Sequence, residues 1–267
     1  MKCFVSSLGA EATEILTARL FRLGFEGFWE DEQVLTAYID SDNFSPQLLE
    51  GLDELKYQYR PLETKNWNQE WEKNFSPVVI AGKCLVRAPF HPPQKNIPLE
   101  VIIEPKMAFG TGHHPTTEMI AGYILTVELK GTFLFDMGCG TGILGIIARK
   151  AGADKVVMAD NDPEAVTNAR ENISLNRVDN IKVCHGGSEI LKNKTPGIIT
   201  ANITRTVLLN HMAVYFSSLK AGGTLVISGI IDPDYNEILK SAREQGFGLK
   251  EINRRREWLM LVFVKPE

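Results

Sequence analysis

The sequence predicts an α/β fold, a mainly parallel sheet with helices on both faces, behind a smaller α+β unit, and three observations carry that prediction. From Phe133 onward, apolar runs of strand length alternate with stretches of helical periodicity, the pattern of a doubly wound sheet. Inside that alternation, Phe133-Leu134-Phe135-Asp136-Met137-Gly138-Cys139-Gly140-Thr141-Gly142-Ile143-Leu144-Gly145 runs from an apolar strand through an acid into alternating glycines. Ahead of it, residues 1–62 spell strand, helix, two strands, helix and strand.

Residues 2–7 alternate as a strand. Ala10, Ile15, Ala18 and Leu20-Phe21 then recur at helical spacing until Gly24 stops the run. Residues 25–29 and 34–39 are two strands around the polar turn 30–33. Ser45-Pro46 is a cap followed by a first-turn proline, opening a helix expected to reach Leu55. A strand over 57–62 closes a βαββαβ set, the ferredoxin-like split βαβ arrangement. Residues 63–76 follow as a polar linker helix, with Trp67 and Trp71 on one face. Six prolines between positions 77 and 105 then punctuate short strands at 78–80, 84–86 and 101–103, a lead-in to the domain 77–267.

In that domain the expected elements are strand 133–135, helix 141–150, strand 156–159, helix 163–175 and strand 181–184. Strand 197–201, a helix from Thr206 to Leu219, strand 223–228 and a helix opened by Asp232-Pro233 come next. Strands 248–252 and 258–264, joined by a basic turn at Arg254-Arg255-Arg256, form an antiparallel hairpin at one edge. A sheet of this kind takes ligands at the carboxyl ends of its strands.

The glycines admit two cofactors. Alternating glycines let a ligand lie against main chain, with the following helix pointing its amides at it. Gly140, Gly142 and Gly145, with Asp160 twenty positions past Gly140, spell the GxGxxG of a dinucleotide site. The earlier start, Asp136-x-Gly138-x-Gly140-x-Gly142, resembles instead the first motif of the class I S-adenosylmethionine (AdoMet) methyltransferases, in which the acid after the second strand binds the ribose hydroxyls; Asp160 stands at that place.

Composition narrows the field. The chain has 267 residues, 44% hydrophobic, with net charge −4, which argues against an electrostatically driven nucleic-acid binder and is compatible with a basic protein substrate. Cys3, Cys84, Cys139 and Cys184 have neither disulfide-framework nor zinc spacing. The N-terminus lacks the apolar core of a signal peptide and no apolar stretch reaches membrane-spanning length. A cytoplasmic protein is expected, with no membrane association.

The most specific stretch is Glu104-Pro105-Lys106-Met107-Ala108-Phe109-Gly110-Thr111-Gly112-His113-His114-Pro115-Thr116-Thr117. Thr116 and Thr117 are expected to begin a helix reaching about Val127. Taken with Asp136–Leu144, Asp160-Asn161-Asp162-Pro163, Ala201-Asn202-Ile203 and Ser228-Gly229-Ile230, the stretch resembles the PrmA family, whose members methylate amino groups of ribosomal protein eleven of the large subunit. The resemblance covers essentially the whole chain. It implies AdoMet as cofactor, the stalk-base protein as partner and a monomer needing no nucleic acid, with a Rossmann-like class I methyltransferase domain behind a ferredoxin-like substrate-recognition domain. Carried over from the family, Thr117, Gly138, Asp160 and Asn202 are expected AdoMet contacts; the flexible loop at Phe109, Gly110 and Thr111 is suited to closing over the cofactor, and Asp136, Gly140 and Gly142 complete the expected set, with Asn202 as the residue expected to orient the incoming amine. Thr204 departs from the family's usual leucine.

Adjacent His113 and His114 lack a third ligand at useful spacing, so no metal is expected. Cys139 is read as a small residue beneath the cofactor. Two alternatives stand beside the methyltransferase: a nicotinamide-dependent oxidoreductase using the same glycines, and a non-catalytic ribosome-associated binding protein.

Overall fold

The structure, a computed structural model, describes residues 2–6, 10–31, 34–50, 56–60, 76–94, 96–105 and 110–267. The chain divides into two compact units, Met1–Lys73 and Asn74–Glu267. Trp67 and Trp71 of the expected linker helix, and Phe109, lie outside the described residues.

In the first unit, strands β1 (Lys2–Ser6), β2 (Gly27–Asp31), β3 (Val34–Tyr38) and β4 (Lys56–Arg60) form a sheet in the order β2-β3-β1-β4. Every pair is antiparallel. Helix α1 (Ala10–Arg22) separates β1 from the β2–β3 hairpin, and the resulting order is the one a split βαβ connection produces. Leu16 and Leu20 on α1 meet Phe25, Leu35, Ala37, Ile39 and Leu49 in a small core. The helix expected from Ser45 is, over its described part, a single 3-10 turn, Pro46–Leu49. Ser45 makes no side-chain cap bond, and Glu50 takes extended backbone (ψ 132°), which ends the turn. The remainder, 51–55, lies outside the described residues.

The second unit opens with a three-stranded sheet of β5 (Val78–Ile80), β6 (Cys84–Arg87) and β7 (Leu99–Ile102). Helix α2 (Pro115–Ile124) leads into the main alternation. It comprises β8 (Phe133–Met137), α3 (Ile143–Lys150), β9 (Lys155–Asp160), α4 (Pro163–Asn176), β10 (Ile181–His185), β11 (Ile198–Asn202), α5 (Arg205–Ser218), β12 (Thr224–Ile231), α6 (Tyr235–Gln245), β13 (Gly248–Arg255) and β14 (Trp258–Val264). The strands lie in the order β10-β9-β8-β11-β12-β14-β13. All neighbours are parallel except β14, which runs antiparallel to both β12 and β13.

Helices cover both faces of this sheet, which is why its strands read as continuous apolar runs rather than alternating ones. Leu134 and Val156 pack with Ile146 and Ile147 of α3 on one face. Phe135 and Val157 pack with Leu208, Met212 and Tyr215 of α5 on the other. Each fully buried aliphatic side chain of this kind contributes about 1.5–3 kcal/mol of transfer free energy.

Several boundaries differ from expectation, two of them in connections of the main sheet. Helix α3 starts at Ile143 rather than Thr141, because Gly142 holds the left-handed region (φ +80°) and acts as its N-cap. Arg254 and Arg255 belong to β13, and the turn falls at Arg256-Glu257.

Candidate active site

Strand order reverses between β8 and β11: β9 and β10 lie to one side, and β12 to the other. Loops leaving the carboxyl ends of two such strands part in opposite directions and leave a crevice. After β8, the amides of Gly138 and Cys139 both donate to the Ala159 carbonyl, at 2.8 and 3.1 Å. Gly138 has φ +68°, and a Cβ there would stand 2.3 Å from Ile203 Cγ2, just beyond β11. The missing Cβ therefore keeps the mouth of the crevice open. Gly142 serves packing as well, since a Cβ would come within 3.1 Å of Met158 Cε and 3.2 Å of Ala169 Cβ.

Asp160 ends β9 with its carboxylate turned to the glycine turn. Oδ2 accepts the Gly140 amide at 2.9 Å, and Oδ1 accepts the Asp162 amide at 3.0 Å. Capping of α4 falls to Asp162, which accepts the Glu164 amide at 2.8 Å. A carboxylate has about four acceptor positions, so Asp160, fixed by two backbone donors, retains capacity for a diol. Beside it lies a cavity of about 280 Å³ lined by Gly138, Asp160, Gly187, Ile203, Val207 and His211, among others. That volume is near the lower bound of roughly 300 Å³ for small-molecule sites. Its lining combines the apolar Ile203 and Val207 with the Asp160 carboxylate, a mixture that suits a nucleoside. Burial holds the His211 imidazole below the usual histidine range, and Glu189 opposes the shift.

Asp136 is placed differently. It lies within β8 rather than after it, is fully buried and is not among the residues lining the cavity. Thr200, its partner across β11, donates its hydroxyl to Oδ1 at 2.7 Å, while Oδ2 has no hydrogen-bond partner. Burial raises the carboxyl to about 7; the Thr200 hydroxyl opposes this, the Asp160 charge reinforces it, and the Gly145 backbone amide opposes it to a lesser degree. Cys139 is also buried, and burial pushes its thiol well above the usual range, which makes it a packing group and not a nucleophile.

The second motif meets the glycine turn at Gly110 (φ +111°), whose carbonyl accepts the Thr141 hydroxyl at 2.6 Å. Helix α2 starts at Pro115, and its cap is His114 rather than either threonine: His114 Nδ1 accepts the Thr116 amide at 3.4 Å and pairs with the Thr116 hydroxyl at 2.7 Å. An extended His114 before Pro115 lets imidazole do what serine or aspartate does elsewhere. His113 is turned to other work, with Nδ1 3.2 Å from the Thr111 hydroxyl and Nε2 2.7 Å from the Ser76 carbonyl. Thr117 is buried in the first turn, and Asn202, at the end of β11, donates Nδ2 to its hydroxyl at 3.4 Å. Thr204 is the N-cap residue of α5 and lines the cavity.

The structure thus brings Gly138, Gly140 and Asp160 together, and joins Thr117 to Asn202. Sequence reasoning missed the rest of the lining, Gly187, Ile203, Val207 and His211, which comes from the loop after β10 and from the end of β11 through α5 and has no local motif. It also missed Asn172, although the recurrence of asparagine at 168, 172 and 176 was visible.

β14 lies antiparallel between β12 and β13, which departs from the all-parallel six-stranded sheet of dinucleotide domains and disfavours the nicotinamide reading. A methyltransferase from Pyrococcus furiosus shares the fold, with TM-score 0.50 and 21% identity over 58% of this chain and 88% of that one. The crystal structure of a ribosomal protein L11 methylase from Lactobacillus delbrueckii subsp. bulgaricus superposes with TM-score 0.66 and 25% identity, covering 72% of this chain and all of that one. Ribosomal protein L11 methyltransferases from Porphyromonas gingivalis and Bacteroides fragilis are 44% and 39% identical to this chain, each over 94% of it and over 90% and 93% of their own lengths. The profile of the ribosomal protein L11 methyltransferases matches residues 12–266. Crevice, sheet order and sequence agree, and the chain belongs to the ribosomal protein L11 methyltransferase (PrmA) family.

Proposed function

We propose that this protein transfers methyl groups from AdoMet to amino groups of ribosomal protein L11, on lysine side chains or the α-amine. The observation that carries the reading furthest is Asp160, held by two backbone amides beside an open glycine turn and a nucleoside-sized cavity. In this reading Gly138, Gly140, Gly142, Asp160, Thr117 and Asn202 hold the cofactor, and the loop at Phe109, Gly110 and Thr111 closes over it. Asp136 supports the turn from beneath. The first unit recognises the protein substrate, and the net charge of −4 suits a basic partner. The protein acts as a cytoplasmic monomer. Among the described residues no helix is long and apolar enough to cross a membrane.

Bound AdoMet supplies an electrophilic methyl group on a sulfonium. What the chain contributes is alignment, because in-line displacement by a neutral amine needs orientation more than proton chemistry. A lysine amine, with an ordinary pKa of about 10.4, must arrive unprotonated, and desolvation on entering the crevice lowers that value. Asn202 orients the amine through Oδ1, which has no partner among the described residues, while Nδ2 is held by Thr117.

Mass spectrometry of ribosomal protein L11 incubated with this protein and AdoMet tests the reading. Methyl increments on lysines or the N-terminus are expected. AdoMet binding without any increment leaves the non-catalytic binding protein instead. An Asn202→Ala variant with unchanged AdoMet affinity and single-turnover rate removes Asn202 from its role.

A further inference from the structure

Helix α4 carries Asn168, Asn172 and Asn176 at intervals of four, so they share one face. All three are buried, at 2%, 0% and 8% exposure. Two of them, Asn176 and Asn172, form a ladder along the backbone that leaves β7. Asn176 accepts the Ile102 amide at 2.9 Å and donates to the Ile102 carbonyl at 2.6 Å. One rung on, Asn172 Oδ1 accepts the Glu104 amide at 2.8 Å. Four helical residues advance about 6 Å and two extended ones about 6.6 Å, so the rungs stay in step.

Asn172 does one thing that Asn176 does not. Its Nδ2 donates to the Thr141 carbonyl at 2.9 Å, inside the glycine turn, and to Asn168 Oδ1 at 2.8 Å. Thr141 in turn donates its hydroxyl to the Gly110 carbonyl. The backbone entering the second motif and the glycine turn of the first are therefore joined through one side chain. Its orientation is forced, since the carbonyl must meet an amide and the NH₂ must meet two acceptors. Asn168 supports that orientation at a cost to itself: its carbonyl serves Asn172 while its own buried Nδ2 has no partner.

We infer that Asn172 is a positioning residue for the cofactor, setting the glycine turn at the height where its bare backbone and Asp160 meet the nucleoside together. This rests on the reading of positions 138–142 as the AdoMet cradle. Asn172→Asp puts an acceptor against the Thr141 carbonyl and Asn168 Oδ1. Asn176→Asp is a matched control, because that Nδ2 also donates to two carbonyls, those of Ile102 and Asn172, neither of them in the cradle. An acceptor facing an acceptor in the interior leaves both unsatisfied, which at the cradle corresponds to about tenfold or more in affinity.

The test is calorimetric titration of wild type and both variants with S-adenosylhomocysteine, paired with thermal melts and with KM for AdoMet and for the protein substrate. Expected are a weakening of about tenfold or more for Asn172→Asp, a rise in KM confined to AdoMet, and near-wild-type affinity for Asn176→Asp despite a comparable fall in Tm. Affinity losses that follow the Tm losses in both variants, or an Asn172→Asp variant that binds normally, overturn the inference. Should Asn172→Asp not fold, Asn168→Ala decides: it removes one acceptor of the Asn172 amide, a several-fold weakening is expected, and unchanged affinity overturns the inference. Wild-type protein that does not bind S-adenosylhomocysteine refutes the cradle itself, a separate failure seen before any variant is made.

Discussion

Replacing Asp136 by asparagine should make the protein less sensitive to pH. Asp136 is completely buried, its Oδ2 has no partner, and its carboxyl is raised from 3.8 to about 7. A folded-state pKa above the unfolded value means that the native state binds the extra proton, so this group's contribution falls as pH rises from about 4 to about 7 and is level beyond. Each unit of separation corresponds to about 1.36 kcal/mol, so charging this carboxylate costs a few kcal/mol by neutral pH, of which about 2 kcal/mol accrues between pH 5 and 7. Asparagine keeps an acceptor for the Thr200 hydroxyl and does not titrate. Urea denaturation of both proteins at pH 5, 6, 7 and 8 should show curves that separate progressively up to pH 7 and run parallel above it, the variant gaining. Curves parallel throughout, or a variant that loses ground as pH rises, would refute the reasoning.

Two further substitutions follow from the geometry. Gly138→Ala places a Cβ against Ile203 Cγ2 on backbone at φ +68°, so about 1–2 kcal/mol of stability should be lost to the left-handed conformation, together with about tenfold in S-adenosylhomocysteine affinity by calorimetry. Adding Ile203→Ala should relieve the contact but not the backbone strain, and Gly138→Ala with wild-type affinity would show that the crevice is not the binding site. Arg87 grips Glu100 at 2.8 and 3.3 Å and donates to the Ala88 and His91 carbonyls, with a side chain only 9% exposed. Arg87→Met should lower stability by about 2–3 kcal/mol, somewhat less than for a fully buried pair. The hydrogen bond from Arg87 holds the Glu100 carboxyl below the usual range, so this stabilisation is present above the ordinary glutamate pKa and is lost as pH falls through the lowered one. Thermal melts from pH 7 down to 3 should therefore show the gap between wild type and variant closing in acid.

Much of this could be read along the chain, because the signals were local. Alternating apolar and amphipathic runs carry the parallel sheet, and Asp162-Pro163 marks the start of α4 because cap and proline act within one turn. Asp160 and the glycines are legible for the same reason. Asp136 was harder: the strand continues to Met137, so the acid faces Thr200 across the sheet instead of ending it. His114 was set aside as a metal ligand but not read as a cap, because nothing in a histidine's spelling announces one. The asparagine stripe would ordinarily be read as a solvated helix face, since only the backbone passing beside α4, some seventy residues earlier in sequence, turns it inward. Where the turn chemistry was misjudged, at Ser45 and at Thr141, the deciding factor was one residue's backbone, extended at Glu50 and left-handed at Gly142.

The placement of β14 also bears on how the molecule is made. Synthesised last of the seven strands, it fills the slot between β12 and β13, which have no other link across that gap in the sheet. Until it emerges, β12 offers a raw, adhesive ladder of unmatched amides and carbonyls. Every nascent chain thus passes through an interval in which β8 to β12 have been translated but the sheet is unfinished, and chaperone demand should peak there.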